Sequence, residues 1–466
     1  MNYDEAVKYI DEIPMFGPVV DGRNKSGNGN LAYILGKLKN PQMNIKAIHI
    51  AGTNGKGSTA RFIANMLMVR GYKVGVFTSP HLMKINERIA IGIREEKMES
   101  MDGRETTDDI LIYDISNDDF AECATTVAQA IDEAIKEGYM HLSYFEFLFA
   151  MAAVYFDKVG PDYCIYETGL GGRLDATNVL KPVITAITSI GFDHTKYLGS
   201  TIKEIVREKA GIIKKGIPVV YNTDNIEADT VIEEVAENVG VDAINVAKTD
   251  YIIENITDKT IDFSLHNRYY KYNNMILNVS GATYQVDNVA TAVNVCNHIF
   301  GSGQYLKEDE LQEALDNFYW PGRMEQIFPN VILDGAHNTD AIARFIESVQ
   351  SCFHDREIRL LFAVAGDKDY EPMIEMLCNE LELKEVYVTS INSDRGISSD
   401  YIGGLFKMYS ARSGKDYQIK VTCDDDIRSA FSMAYYDVKG TDSMLFCVGS
   451  LYLIGSIKQI AREVLK

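Results

Sequence analysis

One stretch decides the fold of this chain: residues 46–70, which read K-A-I-H-I-A-G-T-N-G-K-G-S-T-A-R-F-I-A-N-M-L-M-V-R. Its first six residues are an apolar run typical of a short buried strand. The apolar residues that follow Ser58 recur at helical spacing, and Gly71 can end that helix as a C-cap. A strand, a glycine-rich loop and a helix in this order are the framework that a phosphate-binding loop requires.

The glycine-rich loop, A-G-T-N-G-K-G-S at 51–58, predicts a site for a nucleoside triphosphate. Small residues let backbone N–H groups turn toward phosphate oxygens, Lys56 can reach the β- and γ-phosphates, and Ser58 can offer its hydroxyl to Mg²⁺. Gly57 separates Lys56 from Ser58, and the upstream spacing is shorter than in the usual phosphate loop. This variant points away from ordinary GTPases, and the alternative is a glycine-rich turn without a ligand.

The rest of the chain alternates short apolar runs with helical patterns, which predicts an α/β fold. In the N-terminal part, further strands are expected at 73–78, 162–167, 183–190 and 218–221. The alternation restarts after Arg323, with strands expected at 331–334, 359–366, 385–389 and 444–448. We therefore expect a P-loop-type domain with a mainly parallel sheet at 1–318 and a smaller, Rossmann-like C-terminal domain at 319–466.

Three segments interrupt this alternation. Residues 251–280 alternate in strand fashion and predict an antiparallel annex to the first domain. Residues 94–118 are acidic and poor in periodic apolar residues, so we expect a surface loop there. The Pro-Gly pair in W-P-G-R at 320–323 predicts a hinge near 319–323.

The composition limits the classes of function. A length of 466 residues with 46% hydrophobic and 24% charged residues is typical of a soluble globular protein with more than one core. A net charge of −21 argues against nucleic-acid partners. The seven scattered cysteines contain no C-x-x-C pair, and the start has no signal-peptide pattern. We expect a cytoplasmic protein with no membrane partner.

Polar residues follow four of the expected strands. Ser58, Ser79, Glu167 and His194 come after separate strands, and ligands bind at the carboxyl ends of strands in open α/β sheets. Hydroxyls, a carboxylate and an imidazole beside phosphates suit Mg²⁺, which keeps water and phosphate in its shell. These four residues are therefore candidate metal ligands, with a structural histidine as the alternative for His194.

Other polar motifs leave two interpretations open. Lys209 is placed early in an expected helix, and its pattern alone is that of a surface lysine. D-G-A-H-N at 334–338 and G-D-K-D at 366–369 follow strands of the second domain. Each of these two motifs could be a turn with an Asp or Asn helix cap or part of a site at the carboxyl edge of the second sheet.

Taken in order, the motifs resemble the folylpolyglutamate synthase/dihydrofolate synthase family, a branch of the Mur ligase superfamily. The resemblance extends from about Ile45 to Leu451 and is carried by G-T-N-G-K-G-S, T-S-P-H-L, N-E-R-I, Y-F-E, E-T-G-L-G-G-R-L-D-A-T-N, D-H-x-x-x-L-G, E-K-A-G-I, P-G-R and D-G-A-H-N. It implies an ATP-dependent amide ligase that adds L-glutamate to dihydropteroate, to reduced folates, or to both.

The resemblance also implies roles for individual residues. ATP would be bound by Gly55, Lys56, Gly57, Ser58, Asn288, Arg323 and Asp334. Two Mg²⁺ ions would be held by Ser58, Ser79, Glu167 and His194. Lys209 resembles a family lysine that becomes carbamylated, so that it offers an anionic oxygen instead of an ammonium. The pteroate pocket would be lined by Ser143, Tyr144, Phe145, Glu146 and Leu174, and the glutamate or nucleotide side by His337 and Asn338.

Some positions depart from the family pattern. Tyr284 stands where the family usually has His, Ser143 replaces Thr, and Gly396 rather than Ala follows Arg395. The acidic stretch at 94–118 is longer than the family pattern leads us to expect.

The implied reaction starts with attack of a substrate carboxylate on the γ-phosphorus of ATP. Lys56, Arg323 and the metal would stabilise the charge of the transferring group, and the amino group of glutamate would then attack the acyl phosphate. Closure about 320–323 would exclude water, and we expect a monomer. The alternatives are another Mur-superfamily amide ligase and a non-catalytic ATP-binding switch.

Overall fold

The computed structural model describes residues 1–15, 19–20, 23–24, 28–95, 109–267, 269–393 and 395–464. Two compact units divide the chain. The first unit consists of Met1–Ile190, Thr195–Asp250 and Asp287–Phe318. The second unit consists of Gly191–His194, Tyr251–Val286 and Tyr319–Lys466. Residues 191–194 and 251–286 thus group with the second unit rather than the first, and the hinge at 319–323 stays a prediction.

The strands are, in chain order, β1 (Val19–Val20), β2 (Arg23–Asn24), β3 (Ala47–Ala51), β4 (Val74–Phe77), β5 (Ile89–Glu95), β6 (Asp109–Asp114), β7 (Tyr163–Glu167), β8 (Pro182–Ile187), β9 (Val219–Tyr221), β10 (Ala243–Asn245), β11 (Tyr251–Ile256), β12 (Ile261–His266), β13 (Lys271–Leu277), β14 (Glu325–Phe328), β15 (Val331–Leu333), β16 (Ile358–Phe362), β17 (Leu383–Val388), β18 (Lys420–Cys423) and β19 (Met444–Val448).

The helices are α1 (Tyr3–Asp11), α2 (Asn28–Lys37), α3 (Lys56–Val69), α4 (Asn117–Lys136), α5 (Tyr144–Val159), α6 (Thr195–Leu198), α7 (Ile202–Ala210), α8 (Ile226–Val239), α9 (Tyr284–Phe300), α10 (Glu308–Asp316), α11 (Thr339–Phe353), α12 (Tyr370–Glu380), α13 (Ser399–Arg412), α14 (Ile427–Val438) and α15 (Leu451–Val464). Short 3₁₀ turns lie at Pro41–Met43, Ile85–Arg88, Ala176–Val179 and Lys248–Asp250. Among the described helices, none has the length and apolarity to cross a membrane.

The first unit is built on a sheet whose described strands run in the order β10-β9-β8-β3-β7-β4-β5-β6. All neighbours from β10 to β4 pair in parallel, and β5 and β6 pair antiparallel at one edge. The parallel strands read as continuous apolar runs because both of their faces are covered, and every residue of β3 and β4 is buried. The register sets Glu167 opposite Ile50, so the end of β7 lies beside the start of the glycine-rich loop.

The acidic segment at 94–118 is not wholly the surface loop that we expected. Strand β6 pairs antiparallel with β5, and α4 already begins at Asn117. The apolar side chains of this short strand are embedded between acidic residues, so the charge of the segment concealed it. Residues 96–108, where the rest of the expected loop falls, lie outside the described residues.

The second unit contains two sheets among its described residues. Strands β11, β12 and β13 form an antiparallel sheet, which confirms the strands predicted at 251–280. The other sheet runs in the order β14-β15-β19-β16-β17-β18 and is parallel except for the β14–β15 pair. An α/β fold with a mainly parallel N-terminal sheet and a separate C-terminal α/β sheet is therefore confirmed.

Candidate active site

The loop between β3 and α3 has the geometry of a phosphate site. Gly55 occupies the N-cap of α3 with a φ of 86°, in the left-handed region that favours glycine. A Cβ on Gly55 would lie only 2.4 Å from Oδ1 of Asn288 on α9. Helix α3 begins directly at Lys56, so the N–H groups of its first turn and the positive end of its dipole face the loop. An anion is favoured at this point.

Lys56 lies across its own loop. Its ammonium donates to the carbonyl oxygens of Gly52 and Thr53, both at 3.2 Å, and lies 3.8 Å from Oε1 of Glu167. The side chain of Lys56 is 15% exposed, so its ammonium group is largely shielded from solvent beside the loop.

Ser79 and Glu167 lie together at the carboxyl ends of the neighbouring strands β4 and β7. The backbone N–H of Ser79 donates to Oε2 of Glu167 at 3.1 Å, and the Glu167 carboxylate is buried. Ser58, in the first turn of α3, is also buried. The structure thus places Ser79, Glu167 and Lys56 close to one another in the first unit.

These side chains suit Mg²⁺ better than a metal that needs an all-protein site. In the described part of the chain, no three His, Cys, Asp or Glu side chains group so that they could hold a metal ion. Mg²⁺ requires no such group, because it is commonly bound by one or two carboxylates with water and phosphate completing its shell. One buried carboxylate beside a phosphate loop and two serines fits that pattern.

Lys209 lies near the C-terminal end of α7 rather than early in a helix, and it is buried rather than on the surface. The expectation from the sequence was wrong because α7 begins as early as Ile202, after the capping pair formed by Thr201 and Glu204, and ends at Ala210. The Nζ of Lys209 donates to the carbonyl of Gly52 at 2.7 Å. The lysine whose pattern alone is that of a surface residue therefore reaches the phosphate loop.

Asn288 supports the loop from α9. Thr59 donates from Oγ1 to the side-chain oxygen of Asn288 at 3.3 Å, and Asn288 is buried. Its contact with Gly55 and Thr59 places it at the start of α3, beside the loop that would hold the phosphates.

A buried series of hydrogen bonds, which we did not predict from the sequence, connects β3 with the segment that follows β7. His49 on β3 contacts Oγ1 of Thr177 through Nε2 at 2.7 Å, and Thr177 donates to Asp175 at 2.5 Å. Asp175 also accepts from the backbone N–H of Leu170 at 2.8 Å, which fixes the glycine-rich turn between them. Burial raises the pKa of Asp175, and burial, with a smaller effect of Lys214, lowers the pKa of His49 to about 3. The only hint in the sequence was a histidine inside an apolar strand.

The residues expected to line a pteroate pocket lie at the start of α5, from Ser143 to Glu146, and in the turn after β7, at Leu174. Ser143 and Glu146 form the capping box of α5, with the Ser143 hydroxyl donating to the carboxylate at 2.6 Å, and burial raises the pKa of Glu146. Phe145 packs against Gly169, where a Cβ would lie 2.8 Å from its ring, while Leu174 is 61% exposed. The backbone N–H of the remaining residue, Tyr144, donates to the carbonyl of Pro14 at 3.0 Å. Helix α5 and the turn after β7 are thus adjacent.

In the second unit, Asp334 of the D-G-A-H-N motif binds the residue that follows W-P-G-R. Its carboxylate follows β15 and accepts from the backbone N–H groups of Met324 at 2.9 Å and Ala336 at 2.8 Å, and from the Tyr284 hydroxyl at 3.2 Å. Burial raises the pKa of Asp334, against the opposing effect of Arg323. Tyr284, which departs from the family pattern, therefore donates a hydrogen bond from its hydroxyl to the Asp334 carboxylate.

Arg323 lies against the D-G-A-H-N motif. A Cβ on Gly335 would be 2.3 Å from its Nη1, which donates to the carbonyl of Gly322 at 3.0 Å. His337 shares a 2.8 Å hydrogen bond with the carbonyl of Gly335 through Nδ1, so that nitrogen donates and Nε2 carries the lone pair. Burial lowers the pKa of His337 to about 4, with Lys368 adding to the effect. A neutral imidazole and a guanidinium are thus both fixed at the end of β15.

The two remaining predicted residues lie in the same unit. Asn338 is the N-cap of α11 and accepts from the backbone N–H of Ala341 at 2.8 Å. His194 has a left-handed backbone, with a φ of 51°, and its side chain is 39% exposed. The helix-cap interpretation of the D-G-A-H-N motif is therefore correct for Asn338.

Comparisons with known proteins indicate the same family along nearly the whole chain. The Mur ligase middle domain matches residues 102–296, and the Mur ligase glutamate ligase domain matches residues 322–451. A dihydrofolate synthase/folylpolyglutamate synthase of Bacillus subtilis is 32% identical over 464 residues, which cover 98% of both chains. A folylpolyglutamate synthase of Lacticaseibacillus casei is 30% identical, again over 98% of both chains. A solved complex of a folylpolyglutamate synthase with AMPPCP and folate superimposes with a TM-score of 0.78 at 26% identity, covering 98% of this chain and 99% of that one.

Proposed function

Because this chain belongs to the folylpolyglutamate synthase/dihydrofolate synthase family of the Mur ligase superfamily, we propose that it joins the amino group of L-glutamate to the carboxylate of dihydropteroate, of a reduced folate, or of both. The enzyme is an ATP-dependent amide ligase, and ATP is its co-substrate. The observation that carries the proposal is the end-to-end match to a relative named for both activities.

The first step is attack of the folate carboxylate on the γ-phosphorus of ATP, which gives an acyl phosphate and ADP. Gly55 at the N-cap of α3, with Lys56, Gly57 and Ser58 in the first turn, binds the phosphates and stabilises the negative charge of the transferring group. Arg323 supplies a second cation for the phosphates. The amino group of glutamate then attacks the acyl carbon, and the tetrahedral intermediate collapses to the amide and phosphate.

The protein ligands that we propose for two Mg²⁺ ions are Ser58, Ser79, Glu167 and His194. When bound, Mg²⁺ neutralises phosphate charge. Support for this set comes from the buried Glu167 carboxylate, which accepts from Ser79 at 3.1 Å and lies near Lys56.

Lys209 acts, in this proposal, as a carbamate. The support is its burial and its contact with Gly52, the same carbonyl that Lys56 contacts, where a second ammonium would be repelled. A carbamate would turn that repulsion into attraction.

Substrate positions follow from the remaining residues. Asn288 and Asp334 contact the nucleoside part of ATP, at the adenine and ribose respectively. The pteroate pocket is formed by Ser143, Tyr144, Phe145, Glu146 and Leu174. His337 and Asn338 lie on the glutamate or nucleotide side, and the neutral, fixed imidazole of His337 is suited to accept a hydrogen bond from an ammonium group.

A cytoplasmic location and a monomeric state are part of the same proposal. All seven cysteines are free, which suits a reducing compartment. The monomer rests on the family resemblance, and light scattering after size exclusion measures it.

The deciding experiment is phosphate release by the purified protein with Mg-ATP and L-glutamate, with dihydropteroate in one reaction and tetrahydrofolate in another. Mass spectrometry of the products must show the addition of one glutamyl residue. If one acceptor alone reacts, the activity narrows to that synthase. If neither reacts while ATP still binds, another Mur-type ligase or an ATP-binding switch replaces the proposal.

A further inference from the structure

The ion pair between Lys368 and Asp193 has no part in the reaction as described above. Lys368 belongs to G-D-K-D after β16, and its Nζ lies 2.8 Å from Oδ1 of Asp193. Both side chains are only 13% exposed, so the pair is shielded from water and from salt. Asp193 belongs to Gly191–His194, the short segment that groups with the second unit.

The second unit holds this segment at three points. Besides Lys368, the amide of Asn338 donates to Oδ2 of Asp193 at 3.2 Å, so both carboxylate oxygens are bound. Gly191 packs so closely that a Cβ would lie 1.9 Å from Oδ2 of Asp340. The position of the segment is therefore set by side chains from two separate stretches: Lys368 of the G-D-K-D motif, and Asn338 and Asp340 at the N-terminus of α11.

The same carboxylate also binds the backbone of His194. The N–H of His194 donates to Oδ1 of Asp193 at 2.9 Å, the oxygen that also contacts Lys368. With a φ of 51°, His194 has a left-handed backbone, which costs about 1 kcal/mol or more for a residue with a side chain. A conformation of this kind persists only where its surroundings fix it.

We propose that Lys368 is a positioning residue for His194: its ion pair with Asp193 holds the carboxylate that fixes the left-handed backbone and thereby the direction of the imidazole. This inference deepens the proposed function and rests on it in one respect, the role of His194 as a metal ligand. Lys368 itself touches neither metal nor substrate in this role.

The test measures metal binding directly. Mn²⁺ is titrated into the full-length protein with a non-hydrolysable ATP analogue and followed by electron paramagnetic resonance. Lys368→Met should weaken Mn²⁺ binding by roughly tenfold to a hundredfold, the usual effect of losing a residue that orients a metal ligand. Lys368→Arg should restore most of the affinity, because a guanidinium can still pair with Asp193. His194→Ala sets the loss expected when the ligand itself is missing.

Lys415→Met is the matched control. Lys415 is also 13% exposed and is paired, at 3.3 Å, with Glu382 of the second unit, whose side chain is 76% exposed, so it reports the effect of removing the ion pair of a largely buried lysine elsewhere. It should keep the wild-type Mn²⁺ affinity. The inference would be overturned if Lys368→Met bound Mn²⁺ as tightly as the wild type, or if Lys415→Met lost as much Mn²⁺ affinity as Lys368→Met.

A double-mutant cycle separates action through Asp193 from general damage. If Lys368 acts through the carboxylate, Lys368→Met should add nothing in an Asp193→Asn background, whereas independent losses would add and would contradict the inference. A wild-type protein that binds Mn²⁺ and nucleotide but ligates no glutamate would overturn the proposed function instead. The Mn²⁺ comparison still decides the role of Lys368 in that case.

Discussion

Lys56 and Lys209 direct their ammonium groups at one backbone carbonyl, that of Gly52, at 3.2 and 2.7 Å. Lys56 lies at the N-terminal end of α3 and Lys209 near the C-terminal end of α7, and Oε1 of Glu167 lies 3.8 Å from the ammonium of Lys56. Two cations that share a buried acceptor repel each other, and anions beside them reduce that repulsion. The phosphates of ATP provide one such anion, and a carbamate on Lys209 would remove the repulsion at its source.

Replacing Lys209 with Met should lower kcat by about a hundredfold or more, the size typical of losing one group that stabilises charge in the transition state. The methionine side chain has a similar length, so packing is largely kept. A steady-state ligation assay measures the loss, and incubation of the wild type with ¹³C-bicarbonate should give a carbamate carbon signal in NMR that the variant lacks.

The control for that experiment is Lys215→Met, because Lys215 is exposed and follows the same helix. It should show wild-type kcat. Full activity in Lys209→Met would contradict any catalytic role for this lysine, and an unchanged carbamate signal would assign the modification to another residue.

Gly55→Ala should impair both folding and nucleotide binding. The φ of 86° is unfavourable for alanine, and its Cβ would lie 2.4 Å from Oδ1 of Asn288. We expect about 1–3 kcal/mol less stability, measured by denaturant unfolding, and a clear loss of affinity for an ATP analogue. Gly71→Ala has a similar φ of 80° with no atom within 4 Å of its Cβ. This control should lose stability only, and equal nucleotide affinity in both variants would contradict the prediction.

The buried His49 should make the protein sensitive to acid. Its pKa is about 3 in the folded state, because burial disfavours the charged ring, against about 6.5 when unfolded. The unfolded state therefore takes up the proton first, and stability that is present above pH 6.5 is lost as the pH falls toward 3. By pH 5 the loss should be about 2 kcal/mol.

The matched variant is His49→Gln, which can still donate to Thr177 but does not titrate. Urea unfolding from pH 7 to pH 5 should show a smaller loss of stability for the variant than for the wild type, by about 2 kcal/mol. Parallel curves of stability against pH for the two proteins would mean that the pKa of His49 is the same in the folded and unfolded states.

Tyr284→Phe should weaken nucleotide binding modestly. The change removes the hydroxyl that donates to Asp334 at 3.2 Å, and leaves the two backbone donors in place. We expect a loss of about 1 kcal/mol in the binding of an ATP analogue, measured by calorimetry. Tyr417→Phe removes a hydroxyl bonded to Glu382 at 2.8 Å and serves as the control. If both variants bind the analogue like the wild type, Asp334 does not depend on Tyr284.

Local patterns in the sequence predicted most of the architecture. Strand, loop and helix at 46–70 were read correctly because a buried parallel strand and a helix each leave a periodic trace within a few residues. The same is true of the three antiparallel strands β11 to β13. Strand β6 was missed because its neighbours carry the charge of the segment, and its partner β5 lies on the other side of residues 96–108.

Contacts between residues far apart in the sequence could not be predicted from such local patterns. His49 and Thr177 are 128 positions apart, Lys209 and Gly52 are 157 apart, and Lys368 and Asp193 are 175 apart. Nothing in the residues near either partner specifies such a pairing. The interpretation of Lys209 as a surface residue failed for this reason, since its burial depends on where α7 packs.

The sequence by itself determined the α/β class, the phosphate loop and the residue types at the strand ends, because these follow from hydrophobic periodicity and from chemistry confined to short motifs. Only the tertiary structure decided that Lys56 and Lys209 share a carbonyl, that Asp334 collects donors from Met324, Ala336 and Tyr284, and that Lys368 binds the residue before His194. The physical reason is that hydrogen bonds and ion pairs act over a few ångströms in space, and only packing of the whole chain brings distant residues within that range.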